Sequence, residues 1–132
     1  MEIIHLEEVD STNAYIKREA AGLEAPVMVV ARSQTAGRGQ RGNTWESEPG
    51  KNLTFSVLIR PDSFPAISQF SISEATALAV SDFLRLNNID SKVKWANDIY
   101  VGDRKICGIL IQHSLAGFNI GYSVLGIGIN VN

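Results

Sequence analysis

The chain has 132 residues, a formal net charge of −2, 45% apolar and 20% charged residues, the profile of one folded domain. So balanced a charge excludes a surface built to coat nucleic acid or an acidic membrane, and leaves function to local clusters. The lone cysteine, Cys107, excludes an intramolecular disulfide or a thiolate zinc cluster and points to the cytoplasm, and the sequence carries neither a signal-peptide start nor an apolar run of the roughly 20 residues a membrane helix needs.

In chain order, "IIHLEEV" reads as a short strand, and "DSTNAYIKREAAG" as a helix with Asp10, Ser11 and Thr12 as candidate caps and Gly22 as its stop. "VMVVARS" is a continuous β-branched strand of the buried type. Residues 34 to 52 form a long polar, glycine-rich loop, a length that in a compact domain usually carries function. "NLTFSVLIR" is the next strand, stopped by Pro61. From about Ser68 to Leu86, Ile72, Ala75, Ala79, Phe83 and Leu86 fall on one helical stripe. "SKVKW", "DIYV", "RKICGILIQHS" and "NIGYSVLGIGINV" then read as consecutive strands, with tight turns at Gly102-Asp103 and Ala116-Gly117. This order predicts an α+β fold with a mostly antiparallel mixed sheet rather than an alternating βαβ sheet.

Gly37, Gly39 and Gly42 stand at G-x-G-x-x-G spacing. A dinucleotide site needs a helix directly after the third glycine, and here "NTWESEPGKN" follows, without helical period. A P-loop motif is absent as well. What remains is a glycine loop carrying Arg38 and Arg41: either a solvated turn, or an anion site in which glycines permit close approach and guanidinium forks meet carboxylate or phosphate.

"STN" at 11–13, "GRGQRGNTW" at 37–45, "KWANDIYV" at 94–101, "RKICGIL" at 104–110 and the terminal "GIGINVN" occur in one order that resembles the catalytic domain of biotin–protein ligases. The resemblance runs from Asp10 to Asn132. It implies a class II aminoacyl-tRNA synthetase-like fold with helices packed on one face of the sheet. It also implies ATP-dependent conversion of biotin to biotinyl-5′-adenylate, with Mg²⁺, and transfer of biotin to a lysine of a carboxylase carrier domain. Two anions must then meet, so cations rather than a covalent nucleophile are required.

By the match, Ser11, Thr12 and Asn13 would line the ureido end of biotin, although plain N-capping explains them equally well. Gln34 would add a polar contact to the ring system; Gly37, Arg38, Gly39 and Gln40 would form the loop over biotin. Trp45 would wall the thioether ring and valeryl chain, and Gly108 would allow close approach in mid-strand. Arg38 and Lys105 are the candidate catalytic cations, with a salt-bridged hairpin lysine as the plainer reading of Lys105. Arg38, Arg41, Asn97 and Asn130 would hold the nucleotide, Asn130 at adenine. Asp98 would hold Mg²⁺ or be an ordinary turn aspartate. His5 and His113 fit no ligand pattern, and Cys107 and Trp95 read as core.

Gln40 stands where many relatives carry arginine, and Ala96 where proline is usual. The family continues beyond "GINVN", so the resemblance implies a catalytic domain, residues 1–132, that is incomplete at its C-terminal end, with no DNA-binding segment before "STN". No nucleic-acid or membrane partner is expected, and exposed sheet edges leave a homodimer open. Lipoate–protein ligase or octanoyltransferase of the same fold is the alternative enzyme, and a biotin-binding fragment without turnover the alternative to an enzyme.

Overall fold

Nine elements follow one another in the computed structural model, which describes residues 1–39, 52–94 and 97–130. They are β1 (Glu2–Val9), α1 (Thr12–Glu19), β2 (Val27–Gln34), β3 (Asn52–Ile59), α2 (Phe70–Leu86), β4 (Lys92–Lys94), β5 (Asp98–Val101), β6 (Arg104–Ala116) and β7 (Asn119–Asn130). The strands form one sheet in the order β1-β2-β3-β7-β6-β5-β4. β1 and β2 run parallel, joined by the crossover that contains α1; every other neighbouring pair is antiparallel. Gly102 and Gly117 turn the hairpins with φ of 58° and 64°, values that glycine adopts without strain. The α+β class and the mostly antiparallel mixed sheet agree with the sequence reading.

The helices do not share a face. Along a strand, side chains two apart share a face and neighbours do not. Ile16 of α1 packs with Val27, Val29, Leu58 and Val124, whereas Ala77, Val80 and Leu84 of α2 pack with Ile99, Cys107, Ile109, Ile127 and Ile129. Val124 and Ile127 lie an odd number of residues apart on β7, so α1 covers one face and α2 the other. The expectation of both helices on one face is corrected by this parity. Physically, strands that alternate between two apolar sets, such as "VMVV" and "LTFSVL", cannot leave either face bare.

α1 starts where Ser11, in extended conformation (φ −157°, ψ 138°), accepts a hydrogen bond from Ala14 N at 3.2 Å. Lys17 and Arg18 fill its last turn, where their charge suits the helix dipole. Arg18 also reaches back to Asp10 with two bonds of 2.8 and 3.0 Å, and that guanidinium holds the Asp10 carboxyl below its ordinary pKa. On α2, the buried side is Ile72, Thr76, Ala77, Val80 and Leu84, rotated from the expected stripe; Phe83 and Leu86 are exposed. Thr76 can sit inside because its hydroxyl donates to Ile72 O at 2.7 Å.

Candidate functional site

The α1 face carries the chemistry. Across it, Ala31, Thr54, Gly128, Gly108, Asp98 and Lys94 are successive cross-strand partners on β2, β3, β7, β6, β5 and β4. With strands about 4.8 Å apart, Thr54 and Asp98 stand roughly 14 Å apart. Gly108 and Gly128 lie between them and raise no side chain. The result is a trough with a backbone floor. Sequence reasoning had Gly108 but missed Gly126 and Gly128; their signal is the spacing of two in "GIGIN", which puts both on one face.

The polar wall is a buried network. Thr12 N donates to Gln34 Oε1 at 2.8 Å, and Thr12 Oγ1 lies 2.7 Å from Ser56 Oγ. Ser56 Oγ donates to Asn13 Oδ1, and Asn13 Nδ2 donates to Leu110 O and to Gln112 Oε1, each at 3.2 Å. Ser56 is fully buried, and Ser11, Thr12 and Asn13 are each 7% exposed or less. Proton counting orders this chain. Ser56 has one proton and spends it on Asn13, so Thr12 must donate to Ser56. Both amide protons of Asn13 are likewise used inside the protein. Asn13 thus has both of its amide donors engaged within the wall. Ser11 is the N-cap, yet its own O–H remains to donate. Gln34 has its oxygen held by Thr12, which leaves its NH₂ as the donating end. Ser56 and Gln112 are additions that the sequence reading did not contain.

The charged wall is Lys105 and Asp98, 2.9 Å apart and each somewhat over a third exposed. A bulge creates this pair. Ile99 pairs with Cys107 but Tyr100 pairs with Lys105, so Ile106 is an extra residue. That slip turns Lys105 away from the α2 face and onto the face of Asp98 and Gly108. Lys94 joins them, its ammonium 4.2 Å from the Tyr100 ring centroid. Lys105 is thus both the hairpin ion-pair lysine of the plainer reading and a cation at the trough.

Asp98 is bridged to that ammonium, and no cluster of three or more metal-ligating side chains exists among the described residues. These groups do not make a resident metal site. An ion carried in on ATP phosphates would need only one or two carboxylates.

Gly37 is buried, Gly39 half-buried and Arg38 exposed, on the stretch after β2 that is tied down by Thr35 N to Val9 O (3.0 Å) and Ala36 N to Asp10 O (2.7 Å). Asn97 is buried before β5, its carbonyl accepting from Ile109 N at 3.0 Å. Asn130 is exposed at the end of β7, opposite Asn52. Gln40, Arg41 and Trp45, with Trp95 and Ala96, lie outside the described residues.

The α2 face is chemically different. A cavity of about 810 Å³ lies between α2 and the sheet, lined by Met28, Val30, Phe55, Phe83, Leu125 and other apolar side chains. It offers no cation to a carboxylate or phosphate. Cys107 is on this face too, fully buried, its thiol pushed up to about 12 by burial. It is no nucleophile for the trough, which weakens the octanoyltransferase alternative.

With this geometry in hand, the likeness to known proteins is specific. The bifunctional ligase/repressor BirA of Escherichia coli (strain K12) is 36% identical over 124 residues, spanning 93% of this chain and 38% of the relative. The biotin–[acetyl-CoA-carboxylase] ligase of Paracoccus denitrificans is 36% identical over 129 residues, 96% of this chain and 53% of the relative. The chain therefore spans about half or less of these relatives' length. The biotin protein ligase from Aquifex aeolicus, solved with biotin and ATP, superposes with a TM-score of 0.83 at 33% identity, covering 99% of this chain and 53% of that one. The sequence matches the biotin/lipoate A/B protein ligase family over residues 6–130, and the chain belongs to that family.

Proposed function

We propose that this domain binds biotin in the α1-face trough, activates it with ATP to biotinyl-5′-adenylate, and serves biotin transfer to a lysine of a carboxylase carrier domain in the cytoplasm. One observation carries the reading: a trough floored by Gly108 and Gly128 joins a neutral hydrogen-bonding wall to a lysine–aspartate wall. That polarity matches a molecule with a ureido head and a carboxylate tail. Relatives named as biotin ligases, and a neighbour solved with biotin and ATP, support the same assignment.

The ureido carbonyl would take donors from the Ser11 hydroxyl and the Gln34 amide, both held in place before the ligand arrives. The carboxylate would lie toward Lys105. Attack on the α-phosphorus brings a second anion to that end, and two cations, Lys105 and Arg38, would offset the repulsion and the charge growing on the phosphoryl oxygens. Mg²⁺ would enter with ATP, with Asp98 as the carboxylate to receive it. Arg41, Asn97 and Asn130 would border the nucleotide. Gly37, Gly39, Gln40 and Trp45 would close over the bound acyl group. No protein nucleophile is needed, and the buried Cys107 supplies none.

Isothermal titration with biotin, without and with ATP and Mg²⁺, followed by mass spectrometry for biotinyl-adenylate, tests this. Biotin binding that tightens with ATP and yields the adenylate is expected. Binding of lipoate in preference to biotin would overturn it.

A further inference from the structure

We propose that Thr54 is a specificity residue of the trough, its hydroxyl accepting a hydrogen bond from a ureido N–H of the ligand. The inference rests on the biotin reading above and adds a residue to it.

Among the described residues, Thr54 Oγ1 is the buried side-chain polar atom without a hydrogen-bond partner, on a residue only 5% exposed. Buried hydroxyls are seldom left so, because each costs the desolvation of a group that water would otherwise satisfy. The place matters as much as the vacancy. Thr54 is two residues from Ser56 on β3, so it shares the α1 face, and it sits beside Gly128 at the edge of the trough floor. It stands between the Thr12–Gln34–Ser56 wall and the charged wall.

The chemistry of the ligand head gives the polarity of the bond. A ureido head offers one carbonyl and two N–H groups. The Ser11 O–H and the Gln34 NH₂ can serve the carbonyl. The N–H groups need acceptors, and the wall oxygens are each already engaged in a hydrogen bond: Gln34 Oε1 with Thr12 N and Thr12 Oγ1, Ser56 Oγ with Thr12 Oγ1, and Asn13 Oδ1 with Ser56. Thr54 Oγ1 is the buried oxygen on this face, among the described residues, that holds no hydrogen bond at all. A dithiolane head has no N–H and would leave the hydroxyl unpaired, so the residue favours a ureide over a lipoyl-type ligand. A site that expects a hydrogen bond discriminates strongly against a ligand that cannot make it.

The test is calorimetric titration of wild type, Thr54→Val and Thr54→Ser with biotin, desthiobiotin and lipoate, alongside thermal unfolding of the free proteins. Desthiobiotin keeps the ureido group and lacks the ring sulfur. Thr54→Val, equal in shape, is expected to weaken biotin and desthiobiotin at least tenfold each, to leave lipoate unchanged, and to melt no lower than wild type, because it removes an unpaired buried group. Thr54→Ser is expected to keep biotin binding within about threefold. Equal biotin affinity in wild type and Thr54→Val overturns the inference while leaving the biotin reading intact. Loss for biotin without loss for desthiobiotin overturns the ureido assignment. A lower melting point in Thr54→Val together with weaker binding of every ligand would mean a structural role. A wild type that binds neither ureide overturns both readings.

Discussion

Gly126→Ala is a sharp probe of the wall, because two physical effects predict opposite signs. Alanine is the better strand residue by about 0.5–1 kcal/mol, so backbone preference alone predicts stabilisation. The structure predicts the reverse. A Cβ on Gly126 would lie 2.8 Å from Asn13 Nδ2 and 2.9 Å from Asn13 Cγ, and closer still to Oδ1, where ordinary contact needs about 3.5 Å. Elsewhere an amide at the tip of a side chain would swing away. Here Leu110 O, Gln112 Oε1 and Ser56 Oγ fix it from three sides. Retreat weakens those bonds at about 1 kcal/mol each, and staying put overpacks the site by about 1–3 kcal/mol. The net expectation is a loss of about 2–3 kcal/mol, or roughly 10 °C in melting temperature for a domain this size. Urea and thermal unfolding measure it. In an Asn13→Ala background the same substitution should cost almost nothing, since the clashing amide is gone. A Gly126→Ala protein as stable as wild type, or an equal cost in both backgrounds, would refute the reasoning.

Three further outcomes follow from the same geometry. Lys105→Ala should abolish most adenylate formation while changing stability by no more than about 1 kcal/mol, because its ion pair with Asp98 is partly exposed; parallel pyrophosphate-release and unfolding assays separate the two. Cys107 should resist iodoacetamide at pH 8 until the chain is unfolded. Its raised pKa also means that its contribution to stability is full below the unfolded value of 9.0 and declines as pH rises toward about 12, at about 1.4 kcal/mol per pH unit, a slope that Cys107→Ala should flatten. His113, bonded to Ser123 Oγ at 2.7 Å, has its pKa lowered by burial, so its contribution is full above about 6.5 and is lost as pH falls; unfolding midpoints at pH 7.5 and 5 should fall further in wild type than in His113→Gln.

Local rules carried much of the fold. Ser11 as a cap, Gly102 and Gly117 as turns, and the strand order after α2 all depend on near neighbours, which a sequence displays. What stayed hidden depends on register. Thr54 and Ser56 alternate with Leu53 and Phe55, which reads as a solvent-facing polar row; only pairing with Ala31 and Gly128 reveals that this row lies under α1. The buried side of α2 is rotated from the expected stripe, and Thr76, which that stripe does not contain, is a core residue because its hydroxyl is satisfied by Ile72 O. The bulge at Ile106 could not be seen either, and without it Lys105 would point to the wrong face. The motif resemblance supplied Lys105, Asp98 and Gly108 as a set, and the pairing of β5 with β6 supplied the reason they meet.

The central claim is that the ligand occupies the α1-face trough and not the apolar cavity beneath α2. A biotin titration followed by amide NMR tests it most directly. The account predicts shifts at Thr12, the Gln34 side chain, Thr54, Gly108 and Gly128, with Val30, Ala75, Ala79 and Phe83 left in place. Shifts centred on those four α2-face residues, with Gly108 and Gly128 unmoved, would contradict it.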